Sequence, residues 1–108
     1  MRESQLIIIQ FDEGYKQWGE VCIQSLYKVH PNIPVIVSGM ALTPETVGSL
    51  EKDHPNITIE LDSEEQNRYN LPFQERSVKE LMACRKGFVM ADIMQRYTAD
   101  QYIMLDAD

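Results

Sequence analysis

The chain has 108 residues, and its 44% hydrophobic and 25% charged content is that of an ordinary globular domain able to bury a core. Its formal net charge of −7 argues against nucleic acids and anionic membranes as partners, since both attract proteins rich in Lys and Arg. The longest aliphatic run, residues 6–9, is far too short for a transmembrane helix or a signal-peptide core, so we expect one cytoplasmic domain spanning residues 1–108.

An aliphatic run opens the chain and is followed by a segment with helical spacing. Residues 6–11 are strongly aliphatic, which is typical of a strand buried on both faces. Residues 15–29 carry apolar side chains three and four positions apart, which predicts a helix. Pro31 ends this helix because proline cannot continue it, and residues 34–38 form a second aliphatic strand.

The second predicted helix has a clear starting signal. Thr43 is a good N-cap residue, and Pro44 lies at the first helical position, where its missing N–H leaves no hydrogen bond unmade. This helix should end near Asp53. The sequence HPNI then leads into a third strand at residues 57–61.

The second half of the chain begins with a polar segment. Residues 62–74 contain acidic residues, asparagines and a proline, and they are predicted to form a long loop. Helical spacing returns over residues 77–97, with Gly87 as a point where the helix could break in two. Residues 101–105 form the last predicted strand.

The cysteines and histidines have ordinary structural interpretations. Cys22 and Cys84 lie on the apolar sides of predicted helices, which favours free buried thiols over a disulfide. No paired Cys and His spacing indicates a zinc site. We interpret His30 and His54, both followed by Pro-Asn-Ile, as solvent-exposed turn residues.

The order of these elements predicts a Rossmann-like α/β fold. Strands joined by helical crossovers, each apolar on both faces, form a doubly wound parallel sheet that is covered by helices on both sides. Ligands bind such sheets beyond the carboxyl ends of the strands. That edge collects residues 11–15, residues 38–42, residue 62 onward and residues 106–108.

Two carboxylates follow the last strand at this edge. Asp106 and Asp108 lie one pleat apart on an extended backbone, so they repel each other unless a cation or a proton lies between them. Carboxylate oxygens select hard divalent cations such as Mg²⁺ or Mn²⁺. An acid pair in a solvated turn is the alternative interpretation.

A group of basic residues precedes the acids. Four of the ten Lys and Arg residues fall within residues 76–86. A helix antiparallel to the last strand puts Arg85 and Lys86 level with the two acids, given rises of about 1.5 Å and about 3.3 Å per residue. Two acids and two cations suit a metal-bound diphosphate, whereas a solvated helix face is the alternative.

The opening IIIQFDEGY and the closing YIMLDAD resemble motifs of a known enzyme class. They are similar to the D-x-x-Y and YLDAD motifs of nucleotide-sugar glycosyltransferases of the GT-A fold, in particular the family of glycogenin and the bacterial lipooligosaccharide galactosyltransferases. The elements between the motifs follow the same order over essentially all 108 residues. The resemblance implies the N-terminal half of that fold, with strand order 3-2-1-4.

The resemblance also implies roles for individual residues. Asp12 and Tyr15 would contact the base and ribose of a nucleotide-sugar, with a UDP-sugar expected. Asp106 and Asp108 would hold Mn²⁺ or Mg²⁺ against the diphosphate, and the metal would stabilise the departing nucleoside diphosphate. Because the acceptor-binding half is missing, we expect these 108 residues to transfer no sugar by themselves.

Two other classes of protein share parts of this pattern. Haloacid-dehalogenase-type phosphohydrolases also have D-x-D after a strand, with the first Asp as the nucleophile. A non-catalytic nucleotide-binding or receiver-like domain would use acids after its first and third strands, such as Asp12, Glu13 and Asp62. Both classes require further motifs downstream of a fourth strand.

The last strand also predicts self-association. Residues 101–105 would form an apolar edge strand without a proline, and such edges pair readily with other chains. We therefore expect a homodimer or larger oligomer joined through this strand. A charge introduced at Met104 would then weaken the association.

Overall fold

The computed structural model describes residues 3–62, 69 and 78–106. Strands and helices alternate along the chain in the order β1 (Glu3–Asp12), α1 (Lys16–Val29), β2 (Val35–Met40), α2 (Pro44–Asp53), β3 (Ile57–Asp62), α3 (Val78–Arg96) and β4 (Ala99–Asp106). A short 3₁₀ turn, Glu13–Tyr15, links β1 to α1. The four strands form one parallel sheet in the order β3-β2-β1-β4, which confirms the predicted sheet and its strand order.

The local signals in the sequence match the observed helix ends. The Thr43 hydroxyl accepts the N–H of Thr46 at 3.2 Å, so Thr43 is the N-cap of α2 as predicted. Helix α3 continues through Gly87 without a break, because one glycine disfavours a helix by only about 1 kcal/mol. Asp62 ends β3 and is not the first residue of a loop.

The core consists of two layers, one on each face of the sheet. Along β1, Ile7, Ile9 and Phe11 pack toward α1 and α2, whereas Leu6 and Ile8 pack toward α3. This alternation follows from the two-residue repeat of a strand. Because helices cover both faces of β1, its consecutive residues 6–9 are all apolar and buried, as the aliphatic run predicted.

The two histidines differ in their surroundings. His30 is exposed as predicted, but His54 is only 7% exposed, so its assignment as a solvated turn residue was wrong. The His54 ring stacks on the ring of Tyr27 from α1, with the centroids 6.0 Å apart. His54 is the C-cap of α2, and the path of the chain there brings its ring against the neighbouring helix.

The structure describes the side chain of one of the two cysteines. Cys22 is a free, half-buried thiol, and burial raises its pKa. The side chain of Cys84 lies outside the described part of the structure.

Within residues 3–62, 69 and 78–106, no helix has both the length and the apolar composition needed to cross a membrane.

Candidate functional site

The carboxyl ends of all four strands meet at one edge of the sheet. Asp12 pairs in register with Met40 of β2, which in turn pairs with Asp62 of β3. On the other side of β1, Gln10 pairs with Asp106 of β4. The backbone positions of Asp12 and Asp106 therefore lie on adjacent strands, two residues apart in height, at the edge where ligands bind in open α/β sheets.

The D-x-x-Y spacing has a local structural reason. Asp12 Oδ1 accepts the backbone N–H of Tyr15 at 3.0 Å and so caps the 3₁₀ turn at the end of β1. The bond uses a backbone N–H, so it accounts for the acid and the length of the turn but not for the tyrosine side chain at position 15. Tyr15 precedes α1, and its side chain is 40% exposed.

Glu13 connects this turn to α2, a link that the sequence analysis missed. Its Oε1 accepts the backbone N–H of Thr43 at 2.8 Å, and its Oε2 accepts the hydroxyl of Thr46 at 2.9 Å. Lys16 Nζ lies 3.0 Å from Oε2. A single carboxylate therefore joins the first turn of α1 to the first turn of α2.

The protonation of Glu13 reflects these contacts. Partial burial alone would raise its pKa, but the hydrogen bond from the Thr43 N–H, together with Lys16 and Thr46, brings the pKa below its ordinary value. A lowered folded-state pKa stabilises the fold above the unfolded-state value. That contribution is lost as the pH falls through the lowered pKa.

The link between β2 and α2 contains a strained residue. Ala41 has a φ of 56°, in the left-handed region that is unfavourable by about 1–2 kcal/mol for a residue with a side chain. Its N–H donates to the carbonyl oxygen of Asp62 at 2.7 Å, which holds the segment against the end of β3. Strained residues concentrate at functional sites, and this one lies at the predicted edge.

Arg85 lies at the same edge, on the face of the sheet that α3 covers, and it is completely buried. Its Nε donates to Asp62 Oδ2 at 3.3 Å, its Nη1 to Gln10 Oε1 at 3.0 Å and its Nη2 to Ser38 Oγ at 3.1 Å. Since Gln10 is the ladder partner of Asp106, the guanidinium lies at the height of the Asp106 backbone. One arginine of α3 thus binds a polar side chain from each of β1, β2 and β3.

Tyr69 lies over the Arg85 guanidinium. Its ring centroid is 5.6 Å from the Arg85 Cζ, and its hydroxyl donates to Asp92 Oδ2 at 3.1 Å. The cation is thereby enclosed between the sheet and an aromatic ring. Arg85 is thus a buried residue whose guanidinium is bound by the sheet, and its contact with a diphosphate stays a prediction.

The partners of Arg85 could have been suspected from the sequence. Gln10 and Ser38 interrupt the aliphatic runs IIIQF and VIVSG, in strands whose composition predicts burial on both faces. Buried polar side chains require hydrogen-bond partners. A polar residue at a predicted buried position therefore indicates a partner elsewhere in the chain.

The remaining predicted site residues are only partly described. Lys86 is half-buried, one residue beyond Arg85 on α3. The backbone of Asp106 ends β4, but its side chain and the whole of Asp108 lie outside the described residues. Among the side chains that the structure does describe, no three of His, Cys, Asp or Glu come together as a metal site. The predicted D-x-D ligands do not belong to that set.

Comparison with known proteins adds no relative. No protein-family model, curated protein or solved structure matches the chain.

Proposed function

We propose that the chain is the donor-binding part of a nucleotide-sugar glycosyltransferase, with a UDP-sugar as the expected donor. The observation that carries the proposal is the shared strand edge. In the order β3-β2-β1-β4, the strand that ends in Asp12 is the direct neighbour of the strand that ends in Asp106. One bound nucleotide could therefore place its nucleoside beside the end of β1 and its diphosphate beside the end of β4.

The residues at this edge divide into two groups under the proposal. Asp12 and the exposed Tyr15 would contact the base and ribose. Asp106 and Asp108 would hold Mn²⁺ or Mg²⁺, whose charge would stabilise the departing nucleoside diphosphate. Lys86 is the cation from α3 that we assign to the diphosphate, because Arg85 is engaged by the sheet.

The receiver-like alternative receives less support from the geometry. It needs the acids after the first and third strands to converge on one bound cation. Glu13 instead binds the N-terminus of α2, and Asp62 pairs with Arg85. Asp12 also accepts the Tyr15 N–H, so all three acids that suggested this alternative are engaged with protein groups.

Calorimetric titration with UDP tests the proposal directly. We expect weak binding in the presence of Mn²⁺ that disappears with EDTA. Asp108→Ala should lower the affinity by more than tenfold, about 1.4 kcal/mol, because the metal loses a charged ligand. Asp100→Ala, which removes a carboxylate from the opposite end of β4, is the matched control and should leave the affinity unchanged. Binding that is indifferent to metal, or no binding by the unmodified chain, would count against the proposal.

We also propose that the chain self-associates through β4. This strand pairs with β1 on one side, and no strand within the described residues pairs with its other side. Met104 is not a clean probe of this edge, because it packs against the core beneath α3. A charge at that position would disturb the fold as well as the edge.

Gln101, which is exposed on β4, is the better probe. We expect sedimentation velocity to show a dimer or larger species for the unmodified chain, and Gln101→Lys to shift it toward monomer by placing like charges in the seam. Gln24→Lys, an exposed position on α1, should leave the mass unchanged. A monomeric unmodified chain would refute the association, and an unchanged mass for Gln101→Lys would refute its placement on β4.

A further inference from the structure

The turn that carries Asp12 and Tyr15 is anchored at two points. Asp12 holds it locally by accepting the Tyr15 N–H. Glu13, between them, holds it from outside through its bonds to Thr43 and Thr46, which lie 30 and 33 residues further along the chain. The position of the turn relative to the sheet edge therefore depends on α2 as well as on β1.

The chemistry of the remote anchor favours a carboxylate. Thr43 and Thr46 are the N-cap and third residue of α2, where the helix dipole favours a negative charge. Each Glu13 oxygen accepts a separate hydrogen bond, one from an N–H and one from a hydroxyl. A glutamine of the same shape could still accept the Thr43 N–H and could donate its NH₂ group to the Thr46 hydroxyl, but an NH₂ group cannot accept from the Lys16 ammonium group and carries no charge for the helix dipole.

Further contacts hold both groups that this anchor joins. Lys16, the first residue of α1, forms an ion pair with the same carboxylate. Glu13 is therefore bound by groups from both α1 and α2. On the α2 side, the link to the sheet passes through the strained Ala41, whose N–H is bound to the end of β3. The start of α2, which binds Glu13, is thus itself held against the sheet. The turn at residues 12–15 is therefore positioned relative to the sheet.

We infer that Glu13 is a positioning residue for the nucleoside, acting by holding Asp12 and Tyr15 in place from the N-terminus of α2. The inference rests on the proposed nucleotide site. Glu13 itself touches no ligand in this scheme. Its removal should therefore affect the nucleoside and leave the metal and diphosphate alone.

The first test uses the free protein and needs no ligand. Amide hydrogen exchange, followed by NMR, is compared between the unmodified chain and Glu13→Ala, which removes both bonds to α2. We expect the amides of Tyr15 and Thr43 to exchange about tenfold faster in the variant, while the amide of Ile8 in the sheet keeps its rate. Glu51→Ala, an exposed position on α2, is the matched control and should change none of these rates. An unchanged Tyr15 rate in Glu13→Ala would overturn the inference.

The second test separates the nucleoside from the diphosphate. UDP and inorganic pyrophosphate are each titrated in the presence of Mn²⁺. Glu13→Ala should weaken UDP binding about tenfold, or about 1.4 kcal/mol, and change pyrophosphate binding less than twofold. An equal loss for both probes would mean that the variant merely loosens the fold, and no loss for either would mean that Glu13 positions nothing.

The two tests also distinguish this inference from the proposed function. If the unmodified chain binds pyrophosphate but not UDP, or binds neither, the nucleotide site is wrong. The exchange rates of Tyr15 and Thr43 then decide by themselves whether Glu13 holds the turn.

Discussion

Arg85→Met is expected to lower the free energy of unfolding by about 3–5 kcal/mol, because it leaves a buried carboxylate without its charged partner. Arg85 and Asp62 form an ion pair in which each side chain is only 1% exposed. The substitution also removes the donors to Gln10 and Ser38, which are themselves buried. Urea unfolding of the variant, followed by circular dichroism, measures the effect.

A second substitution tests the physical reason. The double variant Arg85→Met/Asp62→Leu contains neither charge, so most of the lost stability should return. Lys86→Met removes a cation from the next position of α3 and should change the free energy by less than about 1 kcal/mol. If the double variant is no more stable than Arg85→Met, the loss comes from the hydrogen bonds to Gln10 and Ser38 and not from the unpaired charge.

Gly19→Ala is expected to destabilise the protein by about 1–3 kcal/mol, although alanine normally favours a helix. A Cβ at Gly19 in α1 would lie 2.5 Å from both Cδ1 and Cε1 of Phe11. The Phe11 ring is buried in the core, so it cannot move aside without disturbing its neighbours. Helix α1 would have to move away from β1. Thermal or urea unfolding measures the change.

Gly87→Ala provides the opposite result within the same protein. Gly87 lies inside α3, and a Cβ there would meet no atom within 4 Å. The substitution should therefore raise the free energy of unfolding by up to about 1 kcal/mol, through helix propensity alone. If Gly19→Ala also raised the free energy of unfolding, the contact between α1 and Phe11 would be looser than the structure indicates.

Two separate polar networks support the carboxyl edge of the sheet. The Glu13 carboxylate lies on the side of α1 and α2, where it joins two helix starts. The Arg85 guanidinium lies on the side of α3, where it joins three strands. The edge proposed to bind the nucleotide is therefore supported on both faces by groups that do not contact the ligand, which is how a binding site keeps its geometry.

The residue pattern by itself determined the order of the elements and the kind of sheet. The aliphatic run of β1 required burial on both faces, and Thr43 with Pro44 marked the start of α2. Such signals are local, since they depend on side chains within one or two turns of each other. The parallel arrangement then followed from alternating strands and helices, and the strand order from right-handed crossovers together with the resemblance.

Only the tertiary structure decided what the polar side chains do. Helix rise gave the height of Arg85 correctly, but not that it faces the sheet, where its partners Gln10 and Asp62 lie 75 and 23 residues away in the chain. The burial of His54 and the reach of Glu13 to Thr43 likewise depend on how separate elements pack. The residues next to a charged side chain in the sequence do not reveal whether it contacts solvent or a partner. Only the packed fold brings a partner from a distant part of the chain to it.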